Sequence, residues 1–204
     1  MIGAESLVRT LAAGGADTAF VNPGTSEMHL VQAIDNVPEV RSVLSLFEGV
    51  CSGAADGFGR MTGRPALTLF HLGSGLGNAV ANLHNARRAR TPLINLIGEH
   101  ATYHIKYDAP LTSDIAGIAG PVSNWVYTPQ SSDVMAETGV DALNAAHSGG
   151  GQVASLIVPA DCAWGPGPAP IQPSVSPSLP QVSDDEIKTA VSAIKAGNRV
   201  VLML

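Results

Sequence analysis

Glu48 stands where an apolar run, Val43-Leu44-Ser45-Leu46-Phe47, gives way to a small-residue segment ending Ala54-Ala55-Asp56-Gly57-Phe58-Gly59-Arg60. A carboxylate at such a strand-to-helix switch is aimed outward from a sheet edge, into the crevice where open α/β folds bind ligands, and is a candidate for proton chemistry. The plainer alternative is a first-turn acid that complements a helix N-terminus, worth about 0.3–1 kcal/mol. A second candidate is the run His71-Leu72-Gly73-Ser74-Gly75-Leu76-Gly77-Asn78, read as a glycine-rich loop between a strand and a helix. Backbone N–H groups in such a loop, backed by a helix dipole, can receive an anion or a polar ring. Glu99, after the following strand, lies where a dinucleotide fold carries its ribose-binding acid, although the glycine spacing is GxGxGN rather than GxGxxG. A tight turn that packs a helix close to the sheet is the structural alternative.

These residues need a scaffold, and the periodicities supply one. Leu7, Val8 and Leu11 form a helical stripe that stops at Gly14-Gly15, and Thr18–Val21 reads as a short buried strand. A turn at Asn22-Pro23-Gly24 follows, and Thr25 or Ser26 can cap a second helix that closes at Asn36 and Pro38. A strand spans Arg41–Phe47. A third helix runs from Glu48 to Thr62, with Gly63 at its left-handed stop and Pro65 blocking continuation. The strand Ala66–Phe70, the glycine-rich loop, a helix through Arg90 and the strand Leu93–Ile97 come next. Residues 100–129 read as a long polar-aromatic connection with Tyr103, His104, Tyr107, Asp108 and Asp114, of the kind that serves as an active-site loop. A helix near Asp133–His147 and a strand near Val153–Val158 complete the unit. Alternation at this spacing predicts βαβ units: an α/β fold with a doubly wound parallel sheet and helices on both faces.

Three segments are expected: a domain over residues 1–164, a Pro/Ser-rich linker of extended, semi-rigid type over 165–182, and a new unit over 183–204. In the last, Ser183 and Glu186 form a capping box for a helix carrying Ile187, Val191 and Ile194, and Val200–Leu204 reads as an apolar strand. One helix and one strand do not bury their own faces, so the chain is expected to be the front part of a longer protein.

Composition excludes several classes. Of 204 residues, 45% are hydrophobic and 14% charged, which describes a well-buried globular chain rather than a disordered one. The net charge of −6 argues against nucleic acid as a partner. Arg87, Arg88 and Arg90 read as cations at a helix C-terminus. No basic leader precedes an apolar stretch, and no apolar run approaches the ~18 residues that span a membrane, so no membrane partner is expected. Cys51 and Cys162 lie far apart in apolar surroundings and read as buried free thiols, in keeping with a reducing cytoplasm. The six histidines show no HExxH or Cys/His ligand spacing, so no metal is expected on this segment.

Four blocks, Asn22 to Glu27, Glu48 with Ala54 to Gly63, His71 to Asn78, and Thr91-Pro92-Leu93-Ile94, occur in an order and spacing that resemble the pyrimidine-binding domain of thiamine diphosphate enzymes. The likeness covers residues 1–164 and is strongest to benzoylformate decarboxylase and acetolactate synthase large subunits, with Pro121 to Tyr127 adding to it; residues 183–204 look like the opening of that family's middle domain. The resemblance implies that Glu48 bonds N1′ of the cofactor's aminopyrimidine and so promotes loss of the thiazolium C2 proton, in a lyase or transferase acting on a small-molecule 2-keto acid. A dry setting would raise the carboxyl's pKa and let its protonated form donate; glutamine could bond there but not exchange the proton. It further implies that Asn22, Pro23 and Gly24 present the turn to the pyrimidine, that Gly75 and Asn78 line its pocket, and that Thr25 provides a hydroxyl for the substrate carboxylate. His71 would relay a proton near the reacting carbon. Plainer roles stand beside these: Thr25 and Asn78 as helix caps, His71 as a satisfied structural histidine. Glu99 departs from the many relatives that have glutamine there. The family's diphosphate-binding domain, with the GDG motif that holds Mg2+, has no counterpart in these residues, so the chain alone is expected to lack a complete catalytic site. A homo-oligomer, dimer or tetramer, follows by analogy. Two other readings remain open: a nucleotide-dependent oxidoreductase using Gly73–Gly77, and a non-catalytic cofactor-binding module.

Overall fold

Helix and strand alternate as the apolar spacings require. In the computed structural model, which describes residues 1–174, 181–197 and 199–201, the stripe of Leu7, Val8 and Leu11 lies on helix α1 (Gly3–Ala13), and strand β1 is Thr18–Asn22. Helix α2 (Met28–Asp35) follows a single 3-10 turn at Thr25–Glu27, and strand β2 is Arg41–Leu44. Helix α3 runs Glu48–Thr62 and stops at Gly63, whose φ of 68° is the left-handed conformation that favours glycine. Strand β3 (Ala66–Phe70), helix α4 (Leu72–Arg88) and strand β4 (Leu93–Glu99) come next. Helix α5 (Ile115–Ala119), strand β5 (Trp125–Tyr127), helix α6 (Met135–His147), strand β6 (Val153–Pro159), helix α7 (Ala160–Trp164) and helix α8 (Asp184–Ala196) complete the described elements.

All six strands are parallel, in the order β2-β1-β3-β4-β6-β5. The expected doubly wound α/β sheet is present. Period-two alternation divides its side chains between two cores. Leu67, Leu69, Ile94, Leu96, Ala154 and Leu156 pack with α1, α2, α6 and α7. Ala66, Phe70, Leu93, Ile97, Val153 and Ile157 pack with α3, α4 and α5. On that second face, paired residues of three adjacent strands carry polar side chains that satisfy one another. Thr68 Oγ1 donates to Asn95 Oδ1 (2.7 Å), Asn95 Nδ2 donates to Ser155 Oγ (2.8 Å), and Ser155 Oγ bonds Ser123 Oγ (2.7 Å).

Four expectations need correction. The run His71–Gly77 is not a loop: Leu72 to Gly77 form the first turns of α4, because Leu72, Leu76, Ala79 and Leu83 make a helical stripe buried against the sheet. The strand expected over Arg41–Phe47 is shorter than that. Pairing ends at Leu44, and β2 is a sheet edge whose residues 41–44 are largely exposed. Neither Thr25 nor Ser26 caps the second helix; the Gly24 N–H is instead accepted by the Glu27 carboxylate at 2.7 Å. The connection over residues 100–129 is more structured than its composition suggests, since it contains α5 and the edge strand β5.

The proline-rich stretch is not detached at its start. Gly3 N donates to Gly165 O (2.8 Å), Gly167 N to Met1 O (3.1 Å), Ile171 N to Thr10 Oγ1 (3.1 Å) and Gln172 Nε2 to Ala13 O (3.2 Å), so this part of the chain is laid along α1. Ser183 and Glu186 make the expected capping box on α8, whose Ile187, Val191 and Ile194 are exposed. The expected strand at Val200–Leu204 falls partly outside the described residues.

Candidate active site

A parallel sheet has its ligand crevice beyond the carboxyl ends of the strands, at the point where the strand order reverses. Here the chain goes from β1 outward to β2 and then returns to β3 on the other side of β1, so the switch point lies between β1 and β3. Three segments reach that place: Asn22-Pro23-Gly24 leaving β1, Glu48 just beyond β2, and His71 leaving β3.

Glu48 is the first residue of α3 and is half-buried. Its Oε2 accepts a hydrogen bond from Asn78 Nδ2 at 3.0 Å. Gly75 lies directly opposite: a Cβ there would stand 3.1 Å from Glu48 Oε1, and 3.5 Å from the Cβ of His71. Asn78 therefore does not cap α4, whose N-cap is His71; it reaches across from the second turn to α3. The two helices are joined again by Asn82 Nδ2 donating to Gly49 O (2.6 Å) and by Ser52 Oγ, within 3.2 Å of both Gly49 O and Ala79 O. The carboxyl is thus held on a rigid helix pair. Its setting is less dry than expected. β2 is the outermost strand on this side, and Leu44, Leu46, Phe47 and Val50 around Glu48 are exposed, so within this chain the crevice is open on the β2 side.

The second half of the site is built around His71. Its Nδ1 lies 2.9 Å from Oε2 of Glu27, which is fully buried, and the same oxygen accepts the Gly24 N–H. A side chain on Gly24 would collide with the imidazole, so the turn requires glycine for close approach. Leu72, fully buried, takes φ 51°, a left-handed conformation costing about 1–2 kcal/mol in a residue with a Cβ. That kink turns β3 into α4 and sets the His71–Gly75 approach to Glu48. Asn22 donates from Nδ2 to Ser45 O at 2.7 Å, joining the end of β1 to the segment before Glu48. Thr25 is exposed at the rim beside Gly24.

Glu99 is nearly buried at the end of β4, where its Oε1 accepts the His100 N–H at 2.7 Å. Burial pushes its carboxyl above the ordinary value, with partial relief from that bond. Since the preceding glycine run is helical rather than a phosphate-cradling loop, the geometry of a dinucleotide site is not made here. Burial likewise raises the Cys51 thiol, with the Glu48 charge adding to it, and pushes Cys162 up to about 11. Both are unreactive thiols at neutral pH. Among the described residues no group of three or more His, Cys, Asp or Glu side chains is disposed to hold a metal ion, and no helix is long and apolar enough to cross a membrane.

The structure thus brings Glu48, Gly75 and Asn78 into one contact group and Gly24 and His71 into another beside it. Glu27 is the residue that motif reading passed over. It closed the Asn22–Glu27 block, and a glutamate three positions after Gly24 is the spacing by which a carboxylate reaches back to a turn's N–H.

Known proteins resemble the chain at both levels. A candidate acetolactate synthase large subunit of Mycobacterium tuberculosis, IlvX, is 58% identical over 168 residues, covering 82% of this chain and 32% of that protein. Benzoylformate decarboxylase of Pseudomonas aeruginosa is 34% identical over 116 residues, or 56% of this chain and 22% of the enzyme. The solved structure of a thiamine diphosphate-dependent 4-hydroxybenzoylformate decarboxylase from Rhodococcus jostii RHA1 superposes with a TM-score of 0.86 at 25% identity, over 97% of this chain and 38% of that one. The chain accordingly spans well under half the length of each of these relatives. The family model described as thiamine pyrophosphate enzyme, N-terminal TPP binding domain, matches residues 1–119, and the protein belongs to that family.

Proposed function

We propose that this chain supplies the pyrimidine-side wall of the active site in a thiamine diphosphate-dependent enzyme acting on small 2-keto acids, by decarboxylation or by acetolactate synthase-like carboligation. The observation that carries the reading is the convergence of Glu48, Gly75 and Asn78 beside the Gly24–His71 contact at the topological switch point. The residues fit an aminopyrimidine. The missing side chain of Gly75 lets the Glu48 carboxyl lie flat against α4, which leaves its outer side toward the crevice, and the Asn22-Pro23-Gly24 turn stands beside it next to His71.

When bound, the cofactor would supply a nucleophilic carbon for a carbonyl and a cationic ring able to accept the electron pair released on decarboxylation. Glu48 would hold and exchange a proton with a ring nitrogen of the bound aminopyrimidine, and Asn78 keeps the carboxyl oriented by donating to Oε2. His71 is the proton-relay candidate at the adjacent wall, and Thr25 the candidate for orienting the substrate carboxylate.

Residues 1–164 form the pyrimidine domain in this reading, 165–182 the linker and 183–204 the opening of a middle domain. Magnesium and the diphosphate would be held by a further domain. The open side of the Glu48 crevice supports a homo-oligomer, dimer or tetramer, in which that domain comes from a second subunit. A cytoplasmic setting accords with two buried free thiols.

The test uses the full-length protein with thiamine diphosphate and magnesium. Glu48→Gln, equal in size and able to bond but not to exchange a proton, should slow C2 hydrogen–deuterium exchange, followed by NMR, by about 100-fold or more, within the range of a lost acid–base group. Exchange at the wild-type rate would reject the role given to Glu48. Binding of NAD in place of thiamine diphosphate would favour the oxidoreductase reading.

A further inference from the structure

Glu27 is a carboxyl group that the proposed chemistry does not use, yet it is sealed inside the site. It has no exposed surface, and its Oε2 meets both the Gly24 N–H at 2.7 Å and His71 Nδ1 at 2.9 Å. Its Oε1 is buried with no hydrogen-bond partner. Space for that oxygen exists because residue 98, at the end of β4, is glycine; a methyl group there would overlap the carboxylate. A buried carboxylate with an unpartnered oxygen is costly to keep, and buried groups of this kind ask for an explanation. An exposed Glu at this position could serve the turn from solvent without that cost.

We propose that Glu27 is a positioning residue that fixes His71 as its Nδ1–H tautomer and ties the imidazole to the Asn22-Pro23-Gly24 turn. An oxygen already accepting the Gly24 N–H is oriented to accept a second donor, so Nδ1 carries the ring proton and donates it to Glu27. The hydrogen bond at one ring nitrogen decides the state of the other. Nε2 is then the lone-pair nitrogen, available to take a proton from a ligand at the half-buried face of the ring. Packing gives one further restraint, because Gly24 leaves the ring no room to swing toward the turn. One carboxylate thereby sets the register between two walls of the crevice, the end of β1 and the end of β3.

The tautomer itself can be measured without any cofactor. It stands whether or not the catalytic reading that motivates it is right, although the relay role of His71 rests on that reading. In the 204-residue chain labelled with 15N-imidazole histidine, at a pH where histidine is neutral, long-range 15N–1H spectra should show His71 with a protonated Nδ1 and a bare Nε2, assigned by loss of the signals in His71→Asn. Glu27→Gln should release the ring toward the Nε2–H form that predominates in free histidine, and Glu27→Asp should restore part of the Nδ1–H population. A wild-type His71 in the Nε2–H form overturns the proposal, and that reading needs only the His71→Asn assignment, not the Glu27 variants. In the full-length enzyme, Glu27→Gln should lower kcat about ten- to a hundredfold, the range for lost outer-shell partners of functional histidines, with KM little changed. Its combination with His71→Ala should cost no more than His71→Ala alone, and additive losses would separate Glu27 from His71. If Glu48→Gln leaves C2 exchange intact while the tautomer is as stated, the functional reading fails and the positioning role survives.

Discussion

At the scale of single residues, three carboxyl groups at strand ends and turns have been given different settings by the fold. Glu48 is half-buried with Oε1 against Gly75, whereas Glu27 is sealed and bound. Glu99 lies at the end of β4 with its charge opposed by burial. The folded form keeps its proton to a higher pH than the unfolded chain does. Glu99 therefore takes stability away as pH rises from the ordinary value of 4.5 through the folded one, and the deficit persists at neutral pH. Glu99→Gln retains an acceptor for the His100 N–H and should raise the urea midpoint at neutral pH, with the gain fading below 4.5. A gain independent of pH would mean that packing, not ionisation, is responsible. Glu48 was legible from its position after an apolar run, because a strand-to-helix switch is a local event. Glu27 was not, since its partner is 44 positions away.

Among the elements, register is specified by more than apolar alternation. Strands buried on both faces carry little information about pairing, because a slip exchanges one apolar residue for another. The chain of Thr68, Asn95, Ser155 and Ser123 penalises any slip by leaving buried polar groups unpaired. Asn95→Ala should lower stability by about 1–3 kcal/mol for the stranded Thr68 hydroxyl, plus the cavity left by the amide. Chemical denaturation measures the loss, and Thr68→Val in that background should recover part of it. A loss unchanged by Thr68→Val would show the network to be energetically idle. Most helix and strand boundaries were readable from capping and stop residues, as at Thr62-Gly63. The first turns of α4 were misread because glycines that usually mark a loop are here contact points, where Gly75 admits Glu48 and Gly73 admits Ser113. β5 was missed because three residues of strand carry no periodicity to read.

On the scale of the whole molecule, one group of exposed apolar residues flanks Glu48. Leu46 is 94% exposed, with Leu44, Phe47 and Val50 beside it, and the neighbouring groove of about 460 Å³ is lined by Val21, Pro23, Met28 and Val31. Contiguous apolar surface of this kind marks interfaces, and an edge strand alone would invite nonspecific pairing. If the proposed homo-oligomer uses this surface, Leu46→Lys in the full-length protein should shift the sedimentation profile toward smaller species and lower activity with it. An unchanged oligomer would put the subunit contact elsewhere.

The sequence by itself determined the class of fold, most element boundaries and the identity of the acid at the strand-to-helix switch, because these follow from local periodicity, capping and stop residues. The tertiary structure alone decided that β2 is an edge, that Glu48 lies in a crevice open on the β2 side, that the glycine run is helical, and that a buried glutamate holds His71. Each of these depends on which distant segments meet, and the free energies of close packing and of pairing buried polar groups are realised only when the chain is closed around them.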